Sequence, residues 1–362
     1  MTTFVTGFPG FLGSALVDRL VAEAPEAAEL TCLVQPRYRR LAEDRAEEIE
    51  AAHGAAGAIE LVGGDIVEPD LGLGDRYDGL QAETTEAYHL AAVYDLGVDR
   101  TLATRVNVDG TRHVLEFLEG APSFDRLHYV STCYVSGRYD GRFGPDDLLV
   151  GQTFNNHYEA TKFQAEVAVR HAMARGLPAT VYRPGIVVGD SETGATRKYD
   201  GPYQVIRLLL RQPGVAVAPL VGDPTATELN VVPRDHVIDA IDVLRRRPEA
   251  VGETYQLANP APPTVDEFVR DLSQVLDKRV VRIRLPRWLL KGALEATPGL
   301  ARATGVQPAL IDYFDLPTRY DASKTVEALA EADVSCPPLS SYLGTLVDYV
   351  RANPEAAGGP MT

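Results

Sequence analysis

Tyr158 and Lys162 stand four residues apart near the start of a segment with helical character. Side chains at this spacing lie on one face of a helix. A tyrosine hydroxyl ordinarily has a pKa of about 10, and a neighbouring ammonium group favours the phenolate and lowers that pKa. The pair therefore predicts a general acid that protonates a carbonyl oxygen as hydride arrives. Because the same spacing is common on plain helix surfaces, the prediction needs support from elsewhere in the chain.

That support comes from the hydroxyl groups that end an apolar run, Val130-Ser131-Thr132. The run predicts a buried strand, and ligands of open α/β sheets bind outside the carboxyl ends of the strands. A hydroxyl at this place is positioned to hold a substrate oxygen beside Tyr158.

A glycine-rich turn near the amino terminus, Thr6–Gly13, lies between a short β-rich run and an amphipathic segment. Gly7 permits the tight turn, Gly10 lets a pyrophosphate approach the backbone, and Gly13 allows close packing of helix on strand. The helix that follows offers its free N–H groups and the positive end of its dipole to phosphates. The residues of this turn that we expect to bind a dinucleotide are Gly7, Phe8, Gly10, Phe11, Leu12 and Gly13.

The segment after the second predicted strand, residues 34–40, contains three arginines and no carboxylate. A carboxylate there would bind the adenosine 2′-hydroxyl and select NAD, whereas arginine pairs well with a 2′-phosphate. We therefore predict NADP(H) rather than NAD, with Arg37 and Arg40 as phosphate ligands; a solvated basic loop is the competing interpretation. Asp65 and Ile66, after the third predicted strand, are placed to bound the adenine.

These residues must be positioned by a sheet, and the first half of the chain alternates strand-like with helix-like segments. The predicted strands are Thr3–Thr6, Leu30–Val34, Ile59–Val62, Ala87–Ala92, Leu127–Ser131 and Ala179–Arg183. A helix is expected over Thr101–Leu118, where apolar residues recur at helical spacing. This alternation predicts an α/β fold with a doubly wound parallel sheet of the Rossmann type, formed by a dinucleotide-binding domain over residues 1–184.

Beyond residue 184 prolines become denser, which favours shorter elements and longer connections. Helices are expected after Pro233, over Thr264–Leu276 and over Leu339–Val350. We predict a smaller substrate-binding lobe over residues 185–352, with some segments returning to the sheet, and a flexible tail over residues 353–362. Two largely apolar stretches, Pro286–Leu290 and Leu310–Phe314, are candidates for lining or covering a substrate pocket, although such stretches are more often core.

The composition narrows the function classes. The 362 residues include 35 basic and 51 acidic side chains, a net charge of −16 that disfavours nucleic acid and anionic membranes as partners. Three widely spaced cysteines have no metal-ligand spacing, so no metal is expected, and they fit a reducing cytoplasm. No apolar stretch reaches the roughly 18 residues of a membrane span, and no signal peptide is recognisable. We expect a cytoplasmic protein that binds a small hydrophobic molecule; a homodimer stays open.

Taken together, the glycine turn, Asn107 within Asn107-Val108-Asp109-Gly110-Thr111, Thr132 and the Tyr158/Lys162 pair resemble the extended short-chain dehydrogenase/reductases. The resemblance implies that Thr132, not Ser131, is the catalytic hydroxyl, and that Asn107 holds a water in a proton relay. It also implies that Lys162 lowers the pKa of Tyr158 and holds the nicotinamide ribose. The further cofactor contacts that it implies are Ala91, Ala92, Pro184 and Gly185.

Within that family, the glycine turn, His89-Leu90-Ala91-Ala92 and Asn230-Val231-Val232-Pro233 look most like the fatty acyl-CoA reductase and thioester reductase branch. The branch implies NADPH-dependent reduction of a thioester to an aldehyde, sometimes on to an alcohol. With no carrier domain in the sequence, we expect a free acyl-CoA, aldehyde or hydrophobic ketone as substrate. An alcohol–ketone oxidoreductase of the hydroxysteroid or dihydroflavonol reductase type is the first alternative, and a nucleotide-sugar epimerase the second.

Overall fold

The computed structural model describes residues 2–24, 29–297 and 306–355. The strands are β1 (Thr2–Thr6), β2 (Leu30–Val34), β3 (Ile59–Gly63), β4 (Thr84–His89), β5 (Arg126–Val130), β6 (Gly141–Phe143), β7 (Ala179–Pro184), β8 (Ile186–Val188), β9 (Ala216–Leu220), β10 (Val231–Pro233), β11 (Thr254–Leu257), β12 (Val280–Arg284) and β13 (Thr318–Tyr320). Seven of them form one sheet in the order β11-β7-β5-β4-β1-β2-β3, with every neighbouring pair parallel. The predicted doubly wound Rossmann sheet is confirmed.

Helices cover both faces of this sheet. They are α1 (Phe11–Glu23), α2 (Arg39–His53), α3 (Tyr77–Glu83), α4 (Arg100–Ala103), α5 (Gly110–Glu119), α6 (His157–Ala174), α7 (Pro202–Arg211), α8 (Arg234–Arg245), α9 (Val265–Val275), α10 (Arg287–Ala296), α11 (Ser323–Leu329) and α12 (Leu339–Ala352). Successive residues of a strand point to opposite faces. Val5 therefore packs in the core formed with α1, α2 and α8, whereas Phe4 packs in the core formed with α3, α5 and α6.

The strand order reverses at β1, which pairs with β2 on one side and β4 on the other. A parallel sheet opens a crevice at the carboxyl ends of its strands where the order reverses, and ligands bind there. The glycine turn follows β1 directly, so this crevice lies beside it.

Two local differences from the sequence expectations occur near the crevice. Strand β4 is Thr84–His89, so the predicted strand Ala87–Ala92 began and ended three residues too late. Ala91 and Ala92 continue the apolar run because they line the crevice, not because they pair in the sheet. The expected helix over Thr101–Leu118 is present, but Thr104–Asp109 within it has π-helical geometry between α4 and α5.

The second half of the chain contributes to both the main sheet and a separate core. The expected helices are confirmed as α8, α9 and α12. Strand β11 forms an edge of the main sheet and α8 packs on α1, whereas α7, α9 and α12 share another apolar core with β9. The domain boundary at residue 184 stays a prediction. Of the predicted tail, residues 356–362 lie outside the described residues.

Candidate active site

A cleft of about 790 Å³ opens at the carboxyl ends of β1, β4, β5 and β7. Its wall combines the glycine turn and the ends of β4, β5 and β7 with segments from the second half of the chain. The cofactor candidates from the sequence that line it are Gly7, Phe8, Gly10, Phe11, Leu12, Gly13, Asp65, Ile66, Ala91, Ala92, Tyr158, Lys162, Pro184 and Gly185. Thr132 lines it as well.

The glycine turn leaves no room for larger residues. Gly7 has φ +95°, and a Cβ atom there would lie 2.8 Å from the backbone nitrogen of Ala91. A Cβ on Gly10 or Gly13 would lie 2.5 Å or 2.4 Å from the carbonyl oxygen of Gly7. Helix α1 begins directly after the turn, with no acidic residue in its first turn and no side-chain cap. This cradle of backbone and uncapped N–H groups fits the pyrophosphate of a nicotinamide dinucleotide.

The predicted phosphate ligands on the adenosine side do not line the cleft. Arg37 and Arg40 are both exposed. The Arg37 guanidinium donates hydrogen bonds of 2.8 and 2.9 Å to Oε1 of Gln35, which in turn donates from Nε2 to Oδ2 of Asp65 over 2.8 Å. Gln35 and Tyr38 line the cleft in their place. Arg37 is therefore held beside the cleft by the residue that forms its wall.

The catalytic candidates converge from β5 and α6. Tyr158 and Lys162 lie on α6 and are both buried, one helical turn apart, and Thr132 follows β5. Burial raises the pKa of Tyr158 above its ordinary value, while a hydrogen bond with Thr132 acts in the opposite direction. The expectation that Lys162 lowers the pKa of Tyr158 stays a prediction.

The ammonium group of Lys162 forms its hydrogen bonds with β5. It donates to the carbonyl oxygen of Val130 over 2.9 Å and to the hydroxyl of Tyr129 over 3.1 Å. Burial lowers the pKa of Lys162 to about 8, against the opposing charge of Glu166. Lys162 thus lines the cleft, but its ammonium group already donates hydrogen bonds to β5.

Asn107 is buried in the π-helical segment and does not line the cleft. Its Nδ2 donates to the carbonyl oxygen of Val93 and to Oγ1 of Thr161, and its Oδ1 accepts from the Val93 N–H over 2.8 Å. Asn107 therefore ties the loop after β4 to α6. A role in a proton relay stays a prediction.

Apart from Tyr158 and Tyr313, the residues at the far end of the cleft were not singled out by sequence reasoning. Tyr94 packs edge-on against Tyr158, with ring centroids 5.0 Å apart, and Tyr134 does the same with Tyr313 at 4.9 Å. Beside them, a salt bridge of 3.2 Å joins Lys198 to Asp200. These side chains come from four separate segments, so only their common polar-aromatic character hints at them in the sequence.

The two apolar stretches proposed for the substrate pocket differ in whether they line the cleft. Leu310 and Tyr313 line the cleft, as expected for the second stretch. In the first stretch, Pro286–Leu290, Trp288 is 75% exposed and Leu289 is 45% exposed, and neither lines the cleft. Arg197, which was not anticipated, lines it instead and donates over 2.5 Å to the carbonyl oxygen of Pro9 in the glycine turn.

Comparison with known proteins identifies the family to which the chain is similar. Residues 5–241 match a family model of NAD-binding domains described as male sterility protein. Among solved structures, the terminal R domain from the myxalamid PKS-NRPS biosynthetic pathway superposes with a TM-score of 0.83 and 28% identity, over 99% of this chain and 92% of that chain.

Two curated relatives are much longer proteins. The chain is 25% identical to a linear gramicidin synthase from Brevibacillus parabrevis, over 95% of this chain but only 7% of that protein. It is also 25% identical to aldehyde reductase lnaA from Aspergillus flavus, over 96% of this chain and 35% of that protein. The chain thus corresponds to a small part of these relatives. No helix among the described residues is long and apolar enough to cross a membrane.

Proposed function

The chain belongs to the male sterility protein family, in the thioester reductase branch of the extended short-chain dehydrogenase/reductases, and we propose that it reduces an acyl thioester to an aldehyde. The reaction adds one hydride and one proton to the carbonyl group and releases the thiol. The observation that carries the proposal is the convergence of Thr132, Tyr158 and Lys162 in one cleft with the glycine turn.

The residues of the chain divide the work as follows. The glycine turn and the start of α1 would hold the pyrophosphate, and Pro184 and Gly185 would border the nicotinamide, which would supply the hydride. The Tyr158 hydroxyl donates the proton to the substrate oxygen, and burial keeps that hydroxyl protonated before the transfer. Thr132 positions that oxygen, and Lys162 holds the ribose and a positive charge beside the site.

We propose NADPH as the electron donor, bound through Arg37 and Arg40. In support, Arg37 lies just before α2, Arg40 lies in its first turn, both are exposed, and no carboxylate ends β2. Steady-state kinetics with both cofactors test the proposal. Replacing both arginines by alanine should raise the KM for NADPH about a hundredfold or more and leave that for NADH unchanged, because each charge-assisted hydrogen bond contributes about 1.5–3 kcal/mol.

A matched control is Arg39→Ala. Arg39 already donates to Glu43 over 2.7 Å and to the carbonyl oxygen of Leu61 over 2.8 Å, so its loss should not change cofactor preference. A wild-type preference for NADH would refute NADPH as the donor.

The substrate is tested by following NADPH oxidation against acyl-CoAs, aldehydes, ketosteroids and 3-keto acids. Turnover of the acyl-CoAs with release of free thiol is expected. Turnover of ketones alone would discard the thioester proposal in favour of an alcohol–ketone oxidoreductase. A nucleotide-sugar epimerase is the weaker alternative, because the R domain superposes with a TM-score of 0.83 and 28% identity, against 0.70 and 20% for a UDP-glucuronic acid 4-epimerase. A cytoplasmic location, a hydrophobic acyl group and a homodimer remain part of the proposal.

A further inference from the structure

A buried carboxylate that the proposed mechanism does not use lies one helical turn beyond Lys162. Glu166 is fully buried on α6, in line with Tyr158 and Lys162 at successive intervals of four residues. Its Oε2 accepts a hydrogen bond of 2.6 Å from the Ser131 hydroxyl, which is directly adjacent to Thr132. The carboxylate therefore connects the helix that carries the proton donor to the strand end that carries the substrate-positioning hydroxyl.

The same carboxylate also binds β7, the strand beside the one that ends just before Thr132. Arg183 of β7, also fully buried, donates from Nη2 to Oε1 of Glu166 over 2.6 Å and from Nε to both oxygens over 3.1 Å. The next two residues along the chain, Pro184 and Gly185, line the cofactor end of the cleft. The Thr132 hydroxyl donates to the carbonyl oxygen of Pro184 over 3.4 Å.

Two further contacts make the arrangement rigid. The terminal guanidinium nitrogens of Arg183 also donate to the carbonyl oxygens of Gly144 over 3.1 Å and Asp147 over 2.7 Å. Arg170, one turn beyond Glu166, donates to Glu166 Oε1 over 3.1 Å. Both oxygens of the carboxylate are thus satisfied by side chains from α6, β7 and the end of β5.

We propose that Glu166 is a positioning residue that holds Thr132, Lys162 and the Pro184–Gly185 wall in their catalytic arrangement through Ser131 and Arg183. A buried ion pair is weak evidence for stability, because desolvation of both charges offsets their attraction. Glu166 instead lies between three elements that each carry a functional group, which points to a role in aligning those groups. A misplacement of about 1 Å in a catalytic group lowers the rate about a hundredfold.

The charge of Glu166 also acts on Lys162. The groups that act on the Lys162 ammonium are the hydroxyl of Tyr129 on β5, the buried and neutral His89 on β4, and Glu166 on α6. Among these, Glu166 is the counter-charge, and it raises the pKa of Lys162 against the effect of burial. Burial disfavours the ionised form of Glu166, but Arg183, Arg170 and Ser131 hold the pKa of this carboxyl below its ordinary value.

The test compares Glu166→Gln, Glu166→Asp and Ser131→Ala with the unaltered enzyme. The proposal rests on the proposed reductase function, so turnover is followed with whichever carbonyl compound of the panel the unaltered enzyme reduces. A failed thioester assignment would then leave this test intact. The matched control is Glu86→Gln, which removes the carboxylate bound to the buried His128 at the amino end of the same sheet, away from the cleft.

We expect Glu166→Gln to lower kcat about a hundredfold and to move the alkaline fall of the pH profile to lower pH, because Lys162 loses its counter-charge. Glu166→Asp should recover the pH profile and part of kcat, because the charge is kept but the reach to Ser131 is shortened. Glu86→Gln should leave kcat and the profile unchanged. A Glu166→Gln enzyme whose rate falls equally at all pH values would overturn the proposal.

Glu166→Gln leaves Arg183 buried without its counter-ion, so the variant can fail to fold. Ser131→Ala then decides the matter, because it keeps the ion pair and removes only the link to the catalytic strand. It should lower kcat about tenfold with an unchanged NADPH affinity, while the lost buried hydrogen bond lowers the Tm by only a few degrees. A kcat within twofold of the unaltered enzyme would refute the positioning role.

Discussion

The two ends of the cleft are built in different ways. The cofactor end is a contiguous turn of backbone, in which Gly7, Gly10 and Gly13 leave space that any side chain would fill. The substrate end is a set of side chains from distant segments, such as Tyr94, Lys198 and Tyr313. The difference shows that one cleft combines a site specified by backbone geometry with a site specified by tertiary packing. Substitutions at the two ends should therefore separate cofactor binding from substrate selection.

The proposed proton donor between the two ends should give the largest effect. Tyr158→Phe removes the proton donor and keeps the ring that packs on Tyr94, so we expect kcat to fall about 10³-fold, within the range that positioned proton transfer contributes. NADPH affinity, measured by fluorescence titration, should not change. Near-normal turnover by this variant would refute the assignment of Tyr158.

Gly10→Ala should disrupt cofactor binding at the glycine turn. The added Cβ would lie 2.5 Å from the carbonyl oxygen of Gly7, so the turn must shift. Because overpacking costs about 1–3 kcal/mol, NADPH should bind about 10- to 100-fold more weakly. Gly79→Ala in α3 is the control, since a Cβ there has no atom within 4 Å and should leave the dissociation constant unchanged.

The substrate end is altered by Tyr313→Ala. Its ring packs on Tyr134 and its hydroxyl accepts from Nδ2 of Asn156 over 2.9 Å, so truncation enlarges the cleft at that end. The KM for the acyl substrate should rise about tenfold while NADPH affinity is retained, because burial of an aromatic side chain contributes about 1.5–3 kcal/mol. Tyr38→Ala at the cofactor end should weaken NADPH binding and leave the KM for the acyl substrate unchanged. Equal effects of both variants on both ligands would contradict the division.

The smallest effect near neutral pH comes from Lys162. Burial lowers its pKa to about 8, so its ammonium form is present below that pH and is lost as the pH rises through it. If the ammonium is required, kcat/KM should be about half-maximal at pH 8 and fall above it. Lys162→Arg keeps the charge to far higher pH, so its profile should stay flat over this range. A flat profile for the unaltered enzyme would show that the charge is not needed.

Sequence alone determined the parts that depend on local order. Alternating apolar runs predicted the parallel sheet, because period and connection length restrict how strands pair. The glycine spacing predicted the turn, since its steric requirement lies within the short stretch Thr6–Gly13. The interval from Tyr158 to Lys162 predicted a shared helix face, and both residues line the cleft on α6.

Tertiary structure decided the contacts between residues far apart in the chain. It turned Lys162 toward Val130 and left Arg37 outside the cleft. It also joined Glu166 to Ser131 and Arg183, and it brought Tyr313 to the substrate end while leaving the apolar Trp288 exposed. Such contacts depend on how helices and loops pack on the sheet, and no periodicity or spacing in a single sequence encodes which distant side chains will meet.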